Sequence, residues 1–123
     1  MNILAIDYGS KHVGLAWCDD ALKVVLPFGK VERGTGNGGL IELIKKEKID
    51  KLVVGLPLGL GGKENDNTRR VRKFVDELKK EIKISVDFID ERFTSAQADN
   101  MGGTSGRDEK SAMIILQSYI DKI

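Results

Sequence analysis

Cysteine and histidine are nearly missing from this chain: Cys18 and His12 are the single representatives of their types among 123 residues. One cysteine excludes an internal disulfide and a cysteine-rich zinc centre. One histidine excludes a two-histidine metal site within one copy of the chain. Charge of one sign is also scarce. Twenty Lys plus Arg face 19 Asp plus Glu, a net charge of +1, so no global field demands a polyanionic partner. The cluster Arg69-Arg70-Val71-Arg72-Lys73 reads first as the solvated face of a helix. No apolar run approaches the ~20 residues that span a bilayer. The segment from Asn2 to Asp7 also lacks the basic-then-apolar pattern of a secretion signal. The expectation is a soluble, cytoplasmic protein with no membrane partner.

What is present suits one folding unit. Apolar residues make up 41% of the chain, enough for a core without disulfides, and a single domain over residues 1–123 is expected. Residues 2–7 form an apolar run with both faces greasy, as in a central buried strand. Tyr8-Gly9-Ser10-Lys11 reads as a turn and residues 13–18 as the hairpin partner. A third strand covers 22–32, with Pro27 pushing it to the sheet edge. A glycine-rich loop precedes a helix at 39–48, and residues 51–56 form a buried strand ended by Pro57. Val71, Phe74, Val75, Leu78 and Ile82 recur at helical spacing, and 84–91 alternates as a strand. A short helix near 94–100, a glycine-bearing loop at 102–107 and a helix at 109–121 complete the chain. That last helix takes its buried face from Ala112, Ile115, Leu116 and Tyr119.

Three hairpin-connected strands followed by two helical crossovers make a mixed five-stranded α/β sheet. Its order is 3-2-1-4-5, with strand 2 antiparallel and strands 1, 4 and 5 parallel. That is the ribonuclease H-like plan, shared on topology alone with other mixed α/β folds. Sites in such sheets gather at the carboxyl ends of the parallel strands. Strand 1 ends in Asp7, strand 5 in Asp90-Glu91, and the strand between them in the slim Gly55-Leu56-Pro57. Alternation sends Asp90 and Glu91 to opposite faces, so one of them at most joins Asp7. Asp108, where the glycine loop meets the last helix, is the third candidate; read alone, it is a helix N-cap. Carboxylates without histidine suit the hard cations Mg²⁺ or Mn²⁺.

Two glycine motifs fail. Gly34, Gly36 and Gly39 satisfy G-x-G-x-x-G, but the next strand ends without the acidic residue that a dinucleotide site wants. Residues 59–64 lack the first glycine and the hydroxyl residue of a phosphate-binding loop. Trp17 and Cys18 read as strand residues with packing roles, and His12 as a turn residue.

Four segments together resemble the YqgF/RuvX family: residues 6–16 (IDYGSKHVGLA), 54–58 (VGLPL), 90–95 (DERFTS) and 108–119 (DEKSAMIILQSY). The resemblance spans nearly the whole chain. It implies a ribonuclease H-like fold and metal-dependent endonucleolytic hydrolysis. The implied substrate is precursor ribosomal RNA, with 5′ processing of pre-16S rRNA foremost, or branched DNA. Asp7, Glu91 and Asp108 fall on the family's acidic positions, which implies that they hold Mg²⁺ or Mn²⁺ and carry catalysis. Lys11, Arg72 and Arg92 fall on basic positions, and with Arg107 they are the candidates for phosphate contact. His12 stands where the family usually has arginine, and residues 102–107 supply one basic residue, Arg107, where relatives have more.

Two other classes compete with a nuclease. One is a nucleic-acid-binding factor without catalysis; a Holliday-junction resolvase acting in recombination is the alternative within the nuclease class. The other is an actin-like ATPase suggested by Asp7-x-Gly9, which needs two related domains where this chain supplies one. The oligomeric state is open between monomer and weak dimer, because the sequence shows no exposed apolar stripe that argues for a stable dimer.

Overall fold

The apolar N-terminal run forms the central strand that its two greasy faces require. In the computed structural model, which describes residues 1–9, 12–32, 38–58, 60–90 and 107–121, β1 spans Asn2–Tyr8, β2 His12–Asp19 and β3 Val24–Glu32. Helix α1 (Gly38–Lys46) leads to β4 (Lys51–Leu56). A 3₁₀ turn at Leu60–Gly62 precedes α2 (Asp66–Lys79), which leads to β5 (Ser85–Asp90). Helix α3 spans Arg107–Ile120. The sheet order is β3-β2-β1-β4-β5, with β1 antiparallel to β2 and parallel to β4, and β4 parallel to β5.

Strand alternation divides the core into two layers. Leu4 and Ile6 of β1, Val13 and Leu15 of β2, and Leu52 and Val54 of β4 lie under the apolar stripes of α1 and α2. Ile3 and Ala5, Ala16 and Cys18, Val53 and Ile89 lie under Ala112, Ile115, Leu116 and Ile120 of α3. Ile3 through Ile6 are fully buried because both layers cover β1. Each such leucine or isoleucine contributes about 1.5–3 kcal/mol.

The ends of elements show where side-chain chemistry acts. Asn65 caps α2 by accepting from the Thr68 backbone N–H, and the Thr68 hydroxyl accepts in turn from the Asn65 N–H. The same hydroxyl donates to the Pro57 carbonyl, tying the start of α2 to the carboxyl end of β4. Helix α2 closes at Lys79, so Ile82 is buried from beyond its end rather than as a further helical turn. Helix α3 opens at Arg107, which puts Asp108 inside the first turn instead of at the cap before it. Ile120 rather than Tyr119 completes its buried stripe.

Strand β3 takes the edge, as Pro27 requires, and its pairing with β2 slips between Gly14 and Ala16. The expectation of no exposed apolar stripe fails here. Leu22, Val24 and Leu26 are 70%, 55% and 45% exposed, because the helical layer does not reach the tip of the β2–β3 hairpin. The short helix expected near 94–100, residues 102–106 of the expected loop and the glycines at 34 and 36 lie outside the described residues, while Arg107, expected in that loop, begins α3. No helix among the described residues is long and apolar enough to cross a membrane.

Candidate active site at the carboxyl ends of the parallel strands

Alternation along β1 sends Leu4, Ile6 and Tyr8 to the α1–α2 side and Ile3, Ala5 and Asp7 to the α3 side. The Tyr8 ring stacks on Phe74 with centroids 4.4 Å apart, which pins the strand end from below. On the other face Asp7 stands opposite Gly14 of β2. Ile6 pairs with Val54 of β4, so the next residue of β4, Gly55, flanks Asp7 on the other side. Both glycines are buried, and Asp7 is half-buried between them. The carboxylate therefore stands in a notch whose neighbouring strand positions carry no side chain. Gly55 was legible as part of a slim strand. Gly14 was missed, although its place between apolar Val13 and Leu15 is the signal that would have found it.

Next along the sheet, Gly55 pairs with Ile89 and Leu56 with Asp90. Ile89 packs with the α3 layer while Phe88 packs with the α2 layer. Asp90 follows Phe88 and so turns away from Asp7. Glu91 and Arg92 lie outside the described residues, as does Lys11.

Helix α3 is anchored at its far end. The Lys51 ammonium, at the start of β4, bonds the Asp87 carboxylate at 2.8 Å and lies 5.2 Å from the centroid of the Tyr119 ring. The hydrogen bond from Lys51, with Tyr119 adding to it, holds the Asp87 carboxyl below its ordinary range. The same bond from Asp87 raises the Lys51 ammonium, again with help from Tyr119. Tyr119 thus sits at the amino ends of the strands, and α3 runs antiparallel to β1 and β4. Eleven helical residues and four strand residues both cover about 13–17 Å. The backbone of Arg107 and Asp108 therefore arrives at the edge that carries Asp7.

Arg72 is not brought to this edge. Its Nε donates to the Glu64 carboxylate, and its guanidinium lies 5.4 Å from the centroid of Phe88 on the α2 side of the sheet. The sheet separates it from Asp7. Cys18 is buried under α3, its thiol donates to the Asp19 carbonyl at 3.2 Å, and burial pushes it up, so no thiolate nucleophile is available there. Among the described residues no group of three or more His, Cys, Asp or Glu side chains is placed to hold a metal ion. Asp7 is the member of the predicted acidic trio whose side chain is described.

A mixed sheet in this order, with an aspartate near the carboxyl end of its central strand, is that of a ribonuclease H-like α/β protein. Thermus thermophilus RuvC shares the fold. Its complex with Holliday junction substrate superposes with a TM-score of 0.65 at 12% identity, covering 99% of this chain and 94% of that one. A second RuvC structure gives 0.63 at 13% identity, covering 99% and 95%. The chain belongs to the RuvX family, described as Holliday junction resolvase, whose model matches residues 1–122. Similar proteins include one from Maridesulfovibrio salexigens, 33% identical over 98% of both chains. Others come from Phocaeicola vulgatus (36% identical, 98% of this chain and 95% of that one) and a Sulfurihydrogenibium species (37%, 99% and 91%). All three bear the name "Putative pre-16S rRNA nuclease".

Proposed function

We propose that this chain is a divalent-cation-dependent endonuclease that hydrolyses phosphodiester bonds in ribosomal RNA precursors, acting in the 5′ processing of pre-16S rRNA. One observation carries the reading. Asp7 stands in a glycine-walled notch at the edge to which α3 delivers Asp108, in a chain of the RuvX family. Residues 1–123 act as one ribonuclease H-like domain, at work in the cytoplasm where such a substrate is made.

The donor chemistry fits a hard cation. Asp7 offers carboxylate oxygens, and the strands beside it offer no bulk that would exclude an ion. By the family resemblance, Asp7, Glu91 and Asp108 are the residues that would hold Mg²⁺ or Mn²⁺. When bound, such an ion supplies charge stabilisation at the scissile phosphate and a water of lowered pKa. The chain's own residues do the rest. Gly14 and Gly55 let a phosphate approach the carboxylate closely. Ile89 and the apolar stripe of α3 keep water out beneath it. Lys11, Arg92 and Arg107 contact flanking phosphates, which fixes the substrate's register without reading its sequence. Arg72, already engaged by Glu64 on the other side of the sheet, can serve a strand of nucleic acid only where it wraps past β5.

Cleavage of a 5′-extended 16S precursor, compared with a four-way DNA junction in Mg²⁺ and in Mn²⁺, tests this reading. The expected result is RNA cleavage that falls at least about a hundredfold in Asp7→Asn. Cleavage of the junction alone would assign the site to resolution of DNA. A folded protein that binds RNA but cuts neither substrate would make it a binding factor.

A further inference from the structure

Strand β3 changes course where it passes the Asp7 notch. Its pairing with β2 runs from Asp19↔Val24 to Ala16↔Pro27 and resumes at Gly14↔Lys30. Phe28 and Gly29 therefore stand together against Leu15, which makes a β-bulge. Gly29 holds φ 87, the left-handed conformation that such a bulge asks of its glycine. A Cβ there would meet nothing within 4 Å, so the backbone conformation, not crowding, calls for glycine.

The bulge decides which way the next residue faces. Pro27 pairs with Ala16 of the α3 layer, and Phe28 packs with the α1–α2 layer. Unbroken alternation would send Lys30 to the side of Phe28. The extra residue sends it to the other side. Lys30 pairs with Gly14, Gly14 pairs with Asp7, and directly paired residues share a face. Lys30, Gly14 and Asp7 thus form one row on the α3 face, and its middle position has no side chain. Two strand spacings, about 10 Å, separate Lys30 from Asp7 at the backbone. Lys30 is exposed, and no ion pair engages it among the described residues.

Edge strands often carry lysine to deter pairing with other chains. That duty needs a charge on the edge. It does not need a bulge that turns the charge on to the face of Asp7, and bulges beside active sites serve to re-aim a side chain. We infer that Lys30 is a phosphate-binding residue of the Asp7 site. Its ammonium meets the nucleic-acid backbone on the β3 side of the bond that Asp7 addresses, so the bound strand runs across Gly14 towards the sheet edge. A point charge of this kind grips phosphate without reading sequence. The inference rests on the reading of this edge as a nuclease site.

Fluorescence anisotropy of the full-length protein tests it. The probes are a labelled 5′-extended 16S precursor fragment and a four-way DNA junction, each in EDTA so that nothing is cut. Lys30→Gln should weaken binding about threefold or more and reduce the slope of log affinity against log salt by about 0.7–0.9, the loss of one phosphate contact. Lys30→Arg should restore both. Lys23→Gln, the same charge lost at the far end of the hairpin, should change neither. Affinity and slope unchanged in Lys30→Gln, or an equal change in Lys23→Gln, would overturn the inference, as would a wild type that binds neither probe. A wild type that binds but cuts neither probe in Mg²⁺ or Mn²⁺ would remove the nuclease reading alone, and the salt slope would still decide the role of Lys30.

Discussion

Asp7 stands half-buried between two residues that have no side chain, Gly14 and Gly55. Gly55→Val should test what the notch is for. Valine suits a strand, but its methyls would stand beside the carboxylate. Mn²⁺ binding should weaken about tenfold or more while circular dichroism shows the sheet intact. Unchanged affinity in a folded variant would mean that the glycines serve packing alone. The Lys51–Asp87 pair makes a different claim, about stability. Asp87 is held below its ordinary pKa, so its contribution is present above about pH 4 and is lost as pH falls through the lower folded value. Lys51 is raised, so its share is present below about pH 10.4 and is lost as pH rises through the folded value. Asp87 is 44% exposed, and solvent screening keeps the pair at no more than about 1 kcal/mol. Urea midpoints of Asp87→Asn should fall by that little at pH 7 and match the wild type near pH 2. This pair was invisible in the sequence. Its members lie 36 positions apart, and only the parallel register of β4 on β5 makes them neighbours.

Elements begin and end where backbone groups find partners, and two of those ends are testable. Thr68 is fully buried, and its hydroxyl serves the Asn65 N–H and the Pro57 carbonyl at once. Thr68→Val keeps the shape and removes both bonds, so chemical denaturation should show a loss of about 1–3 kcal/mol. The β2–β3 hairpin turns on Asp19, whose carboxylate accepts from Ala21 N–H and whose carbonyl accepts from Leu22 and Lys23 N–H. Lys23 closes that turn at φ 54, where a side chain is strained. Lys23→Gly should raise stability by about 0.5–1 kcal/mol, and a fall would mean that the lysine side chain holds the turn. The strands and long helices among the described residues were legible, β1 and β4 as apolar runs buried on both faces and α2 and β5 by periods of 3.6 and two. Ends were less legible. The start of α3 at Arg107 and the stop of α2 at Lys79 depend on neighbours that sequence spacing does not display.

At the scale of the molecule, one sheet separates two chemistries. The strand order was legible because two right-handed crossovers leave few ways to place β4 and β5 beside β1. What could not be read was direction: that α3, alone among the described helices, lies on the Asp7 face, antiparallel to the parallel strands, with its first turn at their carboxyl ends. The Tyr119–Lys51 contact supplies that. The Arg72–Phe88 contact puts Arg72 on the opposite face, although the family resemblance had grouped it with the site. The central claim is that this edge is a carboxylate metal site, and calorimetric titration of Mn²⁺ into the wild type and Asp7→Asn tests it most directly. The account predicts binding by the wild type that the substitution abolishes without loss of fold. Equal binding by both proteins, or none by the wild type even with a precursor RNA present, would contradict it.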